Sequence, residues 1–183
     1  MTGTDFELKK SGNYDTSIIR TQVRIEDIRV RGQGMSPARL KAIRKGLLTL
    51  HTLELMAVNI YKFQIAGKSG ELNRHLIAAM SNEMTHYQDF QVKLFEYGFR
   101  PGLFRWMFWI AGFVFGTLSR LLGAGKILKT GIWVETKAVE HYGKLLQTVE
   151  WDDDTRKVIE KNQTDEFGHI MRWKKLLQEG GGR

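Results

Sequence analysis

Six side chains with metal-binding chemistry sit where an apolar residue would be expected. Glu54 falls on an apolar stripe that runs through Ile43, Leu47, Leu50, Ala57, Ile60 and Tyr61. Glu83 and His86 lie between Ala79 and Phe90, Glu135 between Ile132 and Val139, and Glu166 and His169 between Ile159 and Trp173. Each histidine follows its glutamate by three residues, which puts the pair on one helix face. The spacing offers an independent check. Glu54 and Glu83 are equidistant from about residue 68, in the Gly67–Gly70 turn, and Glu135 and Glu166 from about residue 150, beside Trp151. In an antiparallel hairpin, residues equidistant from the turn share one height. Both halves of the chain therefore repeat one plan: a Glu, a turn, then Glu-x-x-His.

An unpaired buried carboxylate costs several kcal/mol even after relaxation, and four together repel one another. They must be protonated, matched by buried cations or bound to metal, and no Lys or Arg interrupts the stripes at these heights. Four carboxylates and two neutral imidazoles carry a charge of about −4, which two divalent ions balance. Mixed carboxylate and imidazole ligation suits iron or manganese better than thiophilic metals. A Glu from each of two helices with Glu-x-x-His from the other two is the ligand set of ferritin-like di-iron and di-manganese proteins. A single Glu-x-x-His is ordinarily a solvated pair; the doubled, symmetric set is what points to a dinuclear site. The sequence contains no cysteine, which excludes a thiolate-held zinc or iron–sulfur centre within it. His51, one turn before Glu54, is expected to support the site without ligating. Glu140-His141 and His75 are expected nearer the surface.

Helices must position these groups. Ser36-Pro37 reads as an N-cap and first helical residue. A second helix opens after Gly70 and stops at Gly98 and Arg100-Pro101-Gly102. A third runs through Leu128, Ile132, Val139, Tyr142 and Leu146. The fourth opens at Asp152-Asp153-Asp154, acids suited to a helix N-terminus, and continues through Ile159, Ile170, Trp173 and Leu177. No set of strands is evident. The expected fold is all-α: a ferritin-like four-helix bundle over residues 36–179, preceded by a poorly packed arm over residues 1–35. Residues 1–19 mix Asp5, Glu7 and Asp15 with bases and lack an apolar run, so neither a signal nor a transit peptide is expected there.

The long crossover between the second and third bundle helices has its own character. No acid occurs between Glu96 and Glu135, while Arg100, Arg105, Arg120, Lys126 and Lys129 do. The same stretch holds Phe104, Trp106, Phe108, Trp109, Phe113, Phe115 and Trp133. Fourteen uncharged residues separate Arg105 from Arg120, short of the roughly 20 that span a bilayer as a helix. Aromatic residues flanked by bases fit a segment lying in the head-group region, here residues 99–124. Burial in the bundle or at a dimer interface is the competing reading. Gly112-x-x-x-Gly116 would permit close helix packing. Nucleic acid is not the expected partner, because the bases are sparse and set among bulky apolar residues. The chain's net charge of +8 places +5 on residues 97–134, beside the aromatic run, which favours a lipid surface.

From about Leu47 to Leu177 the residues resemble the demethoxyubiquinone hydroxylase family, membrane-associated members of the ferritin-like superfamily. His51-x-x-Glu54-x-x-Ala57-x-x-Ile60-Tyr61 is similar to its first-helix motif and Asn82-Glu83-x-x-His86 to its second. Arg100-Pro101 with Gly112-Phe113-x-x-Gly116 resembles its hydrophobic insertion. Glu135 with His141-Tyr142 resembles the third motif, and Asp165-Glu166-x-x-His169 the fourth. Thr52-Leu53 and Leu55 stand where the family usually has Ala-Gly and an aromatic residue.

The resemblance implies two iron ions held by Glu54, Glu83, His86, Glu135, Glu166 and His169, and a monooxygenase that hydroxylates the ring of a membrane quinone precursor with dioxygen. Tyr142, two turns from Glu135 on the same face, reads either as a relay of protons or electrons or as a packed core tyrosine. Asp165 is placed to orient a ligating histidine. The implied reductant is NADH or a reduced quinone, although no Gly-rich dinucleotide fingerprint is present. Implied partners are a membrane lipid surface, a quinone-like small molecule and further copies of the chain, as a homodimer or larger. The implied location is peripheral, on the cytoplasmic face of the inner membrane. Two other readings compete: a ferroxidase or iron-handling protein, and a non-enzymatic, quinone-binding scaffold.

Overall fold

Caps and stops in the chain set five α-helices among the described residues. Ser36 Oγ accepts the Arg39 N–H at 3.3 Å and Pro37 fills the first turn, opening α1 (Pro37–Gln64). Asn73 closes the following turn, accepting from Ala66 N at 3.0 Å and donating to Ala66 O at 2.6 Å, within the first turn of α2 (Glu71–Glu96). Gly98, at φ +72°, then lets the chain reverse so that Phe99 N–H reaches Leu94 O at 2.8 Å. After the Pro101 turn come α3 (Arg105–Leu121) and α4 (Ala124–Thr148). Asp152 caps α5 (Asp153–Gln178), accepting from Thr155 N at 3.1 Å. The computed structural model describes residues 24–67 and 70–180; residues 1–23 of the expected arm, and Lys68 and Ser69 of the first turn, lie outside the described residues. Among those described there are no strands.

α1 and α2 form one antiparallel hairpin and α4 and α5 the other. The hairpins face each other so that α1 meets α4 and α2 meets α5. This is the expected ferritin-like four-helix bundle, with α3 as an added helix in the long crossover. α3 runs parallel to α1 along its outer side. A Cβ on Gly112 would stand 2.6 Å from Met56 O, and one on Gly116 only 2.5 Å from Ile60 O. Ser119 Oγ accepts from Gln64 Nε2 at 2.8 Å, one turn further on. The Gly-x-x-x-Gly stripe thus seats α3 against backbone. Away from this seam Trp106, Ile110 and Leu118 are exposed, while the partly exposed Trp109 and Phe113 flank it, each edge-on to Phe63 of α1. Burial within the bundle therefore describes one face of this helix and not the other. Among the described residues no helix is long and apolar enough to cross a membrane.

Two large apolar blocks fill the ends of the core, and a small third cluster of Ala57, Ile60 and Val134 joins α1 to α4. Ile43, Leu47, Leu50, Phe90, Leu94 and Ile159 fill the end near the α4–α5 turn. Leu76, Ala79, Ile127, Leu128 and Trp173 fill the end near the α1–α2 turn. The layer between them holds the six polar residues, so they are sealed from water by apolar packing above and below.

Residues 24–35 cross the open end of the bundle and are tied by charge instead of apolar burial. Ile25 and Val30 are exposed. Arg31 is inserted against Glu96 (2.7 Å), Asp152 and Asp154 (3.2 Å), and its N–H donates to Glu96 O. This one guanidinium joins the end of α2 to the start of α5. Replacing Arg31 with Ala leaves three carboxylates with less compensation and is expected to cost about 2 kcal/mol, between the values for exposed and fully buried pairs. A denaturant midpoint comparison measures it, and an unchanged midpoint contradicts the strap.

Candidate metal centre

The hairpin register brings the six expected ligands into one layer. Glu54 comes from α1, Glu83 and His86 from α2, Glu135 from α4, and Glu166 and His169 from α5; all six are essentially inaccessible to solvent. Their donor atoms form two groups, Glu54–Glu83–His86–Glu166 and Glu83–Glu135–Glu166–His169, within each of which every donor lies within 4.8 Å of the others. Glu83 and Glu166 belong to both. His86 Nδ1 lies 2.9 Å from Glu166 Oε1 and 3.5 Å from Glu83 Oε2. His169 Nδ1 lies 2.9 Å from Glu83 Oε1 and 3.3 Å from Glu166 Oε2. The two histidines thus stand on opposite sides of a pair of shared carboxylates.

The donor set fits two metal ions on an observation of its own. Both inward ring nitrogens, both oxygens of Glu83 and Glu166, and Glu135 Oε2 are buried without a well-formed hydrogen bond. Buried polar atoms are ordinarily paired, and here the unpaired ones converge on the same two points. The outward ring nitrogens are supported. His86 Nε2 lies 3.1 Å from Asp165 Oδ2, and His169 Nε2 lies 3.1 Å from the Asn82 side-chain amide. Partners of this kind fix the ring and leave Nδ1 free to ligate. Each comes from the opposite hairpin: Asn82 precedes Glu83 on α2, and Asp165 precedes Glu166 on α5.

The same cross-bracing recurs on the other two helices. Tyr142 of α4 donates to Glu54 Oε1 at 2.5 Å, and Tyr61 of α1 donates to Glu135 Oε1. Trp173 Nε1 donates to the Tyr61 oxygen at 3.0 Å. Sequence reasoning singled out Tyr142 and Asp165 but treated Tyr61 as core and did not single out the side chain of Asn82. The signal was present, because Tyr61 follows Glu54 by seven residues as Tyr142 follows Glu135. His51 belongs to neither donor group. It stacks on Tyr87 with ring centroids 4.3 Å apart, and its Nε2 lies 3.5 Å from Gln91 Oε1. Glu140 pairs with Lys137 on the surface, His141 is exposed, and His75 packs edge-on against Trp173.

Electrostatics shows what the protein alone must do with this charge. Burial, with the Glu166 and Glu83 charges beside it, pushes Glu54 well above the usual carboxylate range; Glu135 is raised in the same way. Burial also acts upward on Glu83, but His169 and His86 outweigh it and hold that carboxyl low. Burial disfavours the charged form of both rings. The carboxylates against them more than offset this, and His86 and His169 are each pushed up to about 12. At neutral pH the metal-free layer therefore holds protons on both histidines. Metal ions must displace these, so filling both positions is expected to release protons, about one for each ligating histidine. Affinity then falls as pH is lowered. Calorimetric titration in buffers of different ionisation heat measures the release; uptake without proton release contradicts this charge state.

A buried layer with two shared carboxylates, two further carboxylates and two histidines, carried on four helices, has the donor pattern of dinuclear metal-carboxylate bundles. Residues 42–174 match the family described as "Ubiquinone biosynthesis protein COQ7", and the chain belongs to that family. It is 30% identical over 128 residues to the 3-demethoxyubiquinol 3-hydroxylase of Xylella fastidiosa strain Temecula1, covering 68% of this chain and 58% of that protein. It is 28% identical over 125 residues to the mitochondrial NADPH-dependent 3-demethoxyubiquinone 3-hydroxylase of Dictyostelium discoideum, covering 66% and 58%. With the 3-demethoxyubiquinol 3-hydroxylase of a Polaromonas species it shares 29% over 137 residues, covering 72% and 64%. The matched stretch therefore spans less than two thirds of each of these relatives.

Proposed function

We propose that the protein is a monooxygenase that hydroxylates the ring of a demethoxyubiquinone-like precursor with dioxygen at a lipid surface. The observation that carries this reading is the pair of four-residue donor groups sharing Glu83 and Glu166, on a chain whose relatives are named as hydroxylases of that ring. Glu54 and His86 would hold one iron ion, Glu135 and His169 the other, and Glu83 and Glu166 both. Bound there, iron supplies dioxygen activation, with two electrons from a reductant such as reduced nicotinamide and one oxygen atom leaving as water.

The chain's own residues prepare that chemistry. The apolar blocks on either side exclude water from the layer, which strengthens every charge interaction within it. Asp165 and Asn82 hold the two rings from behind. Tyr142 and Tyr61 each keep their own hydroxyl proton and donate it in a hydrogen bond to Glu54 and Glu135, since burial and the neighbouring carboxylates raise both hydroxyls well above the ordinary tyrosine range. The exposed aromatic face of α3, flanked by Arg105 and Arg120, supports peripheral attachment to a membrane, where such a precursor is dissolved. On this reading the site lies at the cytoplasmic face of the inner membrane.

The test is protein loaded with Fe(II) and given a demethoxyquinone with a short side chain. About two irons per chain and dioxygen uptake matched to hydroxylated product are expected. Rapid Fe(II) oxidation with no product would instead establish an iron-handling protein, and no oxidation at all a metal-stapled scaffold. Replacing Tyr142 with Phe removes the hydroxyl from Glu54 and keeps the ring. It is expected to preserve metal content and slow turnover about 10–100-fold, the usual effect of losing a group that supports a ligand. Unchanged turnover would leave Tyr142 as a packed core residue.

A further inference from the structure

Two hollows lie side by side along α4, and they differ greatly in size. The inner one, about 40 Å³, is lined by Leu53, Met56, Ala57 and Val134 and by the ligands Glu54 and Glu135. That is close to the volume of a single water, about 30 Å³; dioxygen fits and a substituted ring does not. The outer one, a groove of about 340 Å³, is lined by Phe115, Lys126, Lys129 and Thr130. This reaches the lower end of the range for small-molecule sites, about 300 Å³. Trp133 lines both hollows and is the one residue they share.

The indole is built to move more readily than its neighbours. It is half-exposed, whereas Val134 and Glu135, the next two residues, are buried. Its ring leans on Phe115 with centroids 5.7 Å apart and an angle of 36°, a contact between two partly exposed side chains. Among the described residues no hydrogen bond reaches its indole nitrogen, so rotation about its side-chain bonds costs that contact alone. The other exposed side chain on the inner cavity, Lys137, is engaged in an ion pair with Glu140.

We propose that Trp133 is the gate between the outer groove and the cavity at Glu54 and Glu135, and that the planar ring of a quinone-class substrate reaches the site by displacing the indole. This rests on the hydroxylase reading for its occupant, though not for the passage itself. The groove suits such a ring: aromatic side chains offer stacking surface, while the Thr130 hydroxyl and the Lys126 and Lys129 ammonium groups can donate to ring oxygens. The groove adjoins the exposed apolar face of α3, where an isoprenoid tail would stay in lipid. With the gate closed, the inner cavity admits dioxygen alone, so Trp133 is a positioning residue that controls ring entry.

The test uses a planar aromatic chelator as the probe. Wild-type protein, Trp133→Ala, Trp133→Phe and the remote surface variant Phe95→Ala are loaded with Fe(II) without oxygen and assayed for metal content. The rate at which 2,2′-bipyridine removes the iron is then followed by absorbance. Trp133→Ala is expected to accelerate removal at least tenfold and Trp133→Phe several-fold, with Phe95→Ala at the wild-type rate. Should Trp133→Ala fail to load iron, Trp133→Phe carries the comparison. Equal rates in wild type and both Trp133 variants overturn the gate. The outcome is separable from the hydroxylase reading: accelerated removal from a protein that hydroxylates no quinone leaves the gate standing, and equal rates in an active hydroxylase defeat the gate alone.

Discussion

Replacing Glu166 with Ala is expected to empty the site of at least one metal ion and to lower turnover more than about 100-fold. Glu166 and Glu83 are the two carboxylates common to both donor groups. Losing either therefore removes a donor from each position at once. Loss of an outer group that merely supports a ligand costs about 10–100-fold, and a shared ligand must cost more. The helix itself should tolerate the change, because Ala is the best helix former and α5 stays capped by Asp152. The expected result is a folded chain with one ion or none. Replacing Glu140, which is exposed and paired with Lys137, should leave metal content and turnover unchanged. Elemental analysis of both variants beside wild type checks this; two tightly held ions in Glu166→Ala would mean that Glu166 is not shared.

The second large effect is structural. A Cβ on Gly116 would meet Ile60 O at 2.5 Å and Phe63 Cβ at 2.9 Å, a contact with backbone that no rotamer relieves. Gly116→Val is therefore expected to cost about 1–3 kcal/mol, as overpacking commonly does, and to shift α3 away from α1. The opposite sign is expected at Gly168, which lies within α5 with nothing within 4 Å of an added Cβ. There Ala should stabilise by about 0.5–1 kcal/mol by reducing the freedom of the unfolded chain. Chemical denaturation of the two variants gives both signs in one experiment. A neutral Gly116→Val would mean that α3 is not seated on α1 through this stripe.

The six converging donors were legible in the sequence because burial of a charge is conspicuous. A carboxylate in an apolar stripe has few physical explanations, and symmetric spacing about two turns removed most of them. Ser36, Gly98 and Asp152 marked helix ends for equally local reasons. The bracing of the site was less legible. Tyr61 and Asn82 look ordinary within their own helices, and their roles appear only when α1 faces α4 and α2 faces α5. The seven-residue offset shared by Glu54–Tyr61 and Glu135–Tyr142 carried that information, but an aromatic residue on an apolar stripe is unremarkable without the pairing. Arg31 was not legible either. Its segment alternates weakly, and its partners Glu96, Asp152 and Asp154 are distant in sequence. The crossover was readable in composition, yet only the approach of Gly112 and Gly116 to α1 showed which face remains outside.

The central claim is that this layer holds two irons and places one oxygen atom from dioxygen onto a quinone ring. Mass spectrometry of the product formed under isotopically labelled dioxygen tests it most directly, using protein with iron content measured beforehand. Hydroxylated ring carrying one labelled oxygen, formed in proportion to chains holding two irons, is the expected product. Product bearing oxygen from water, or iron oxidised by labelled dioxygen with the ring unchanged, would contradict it.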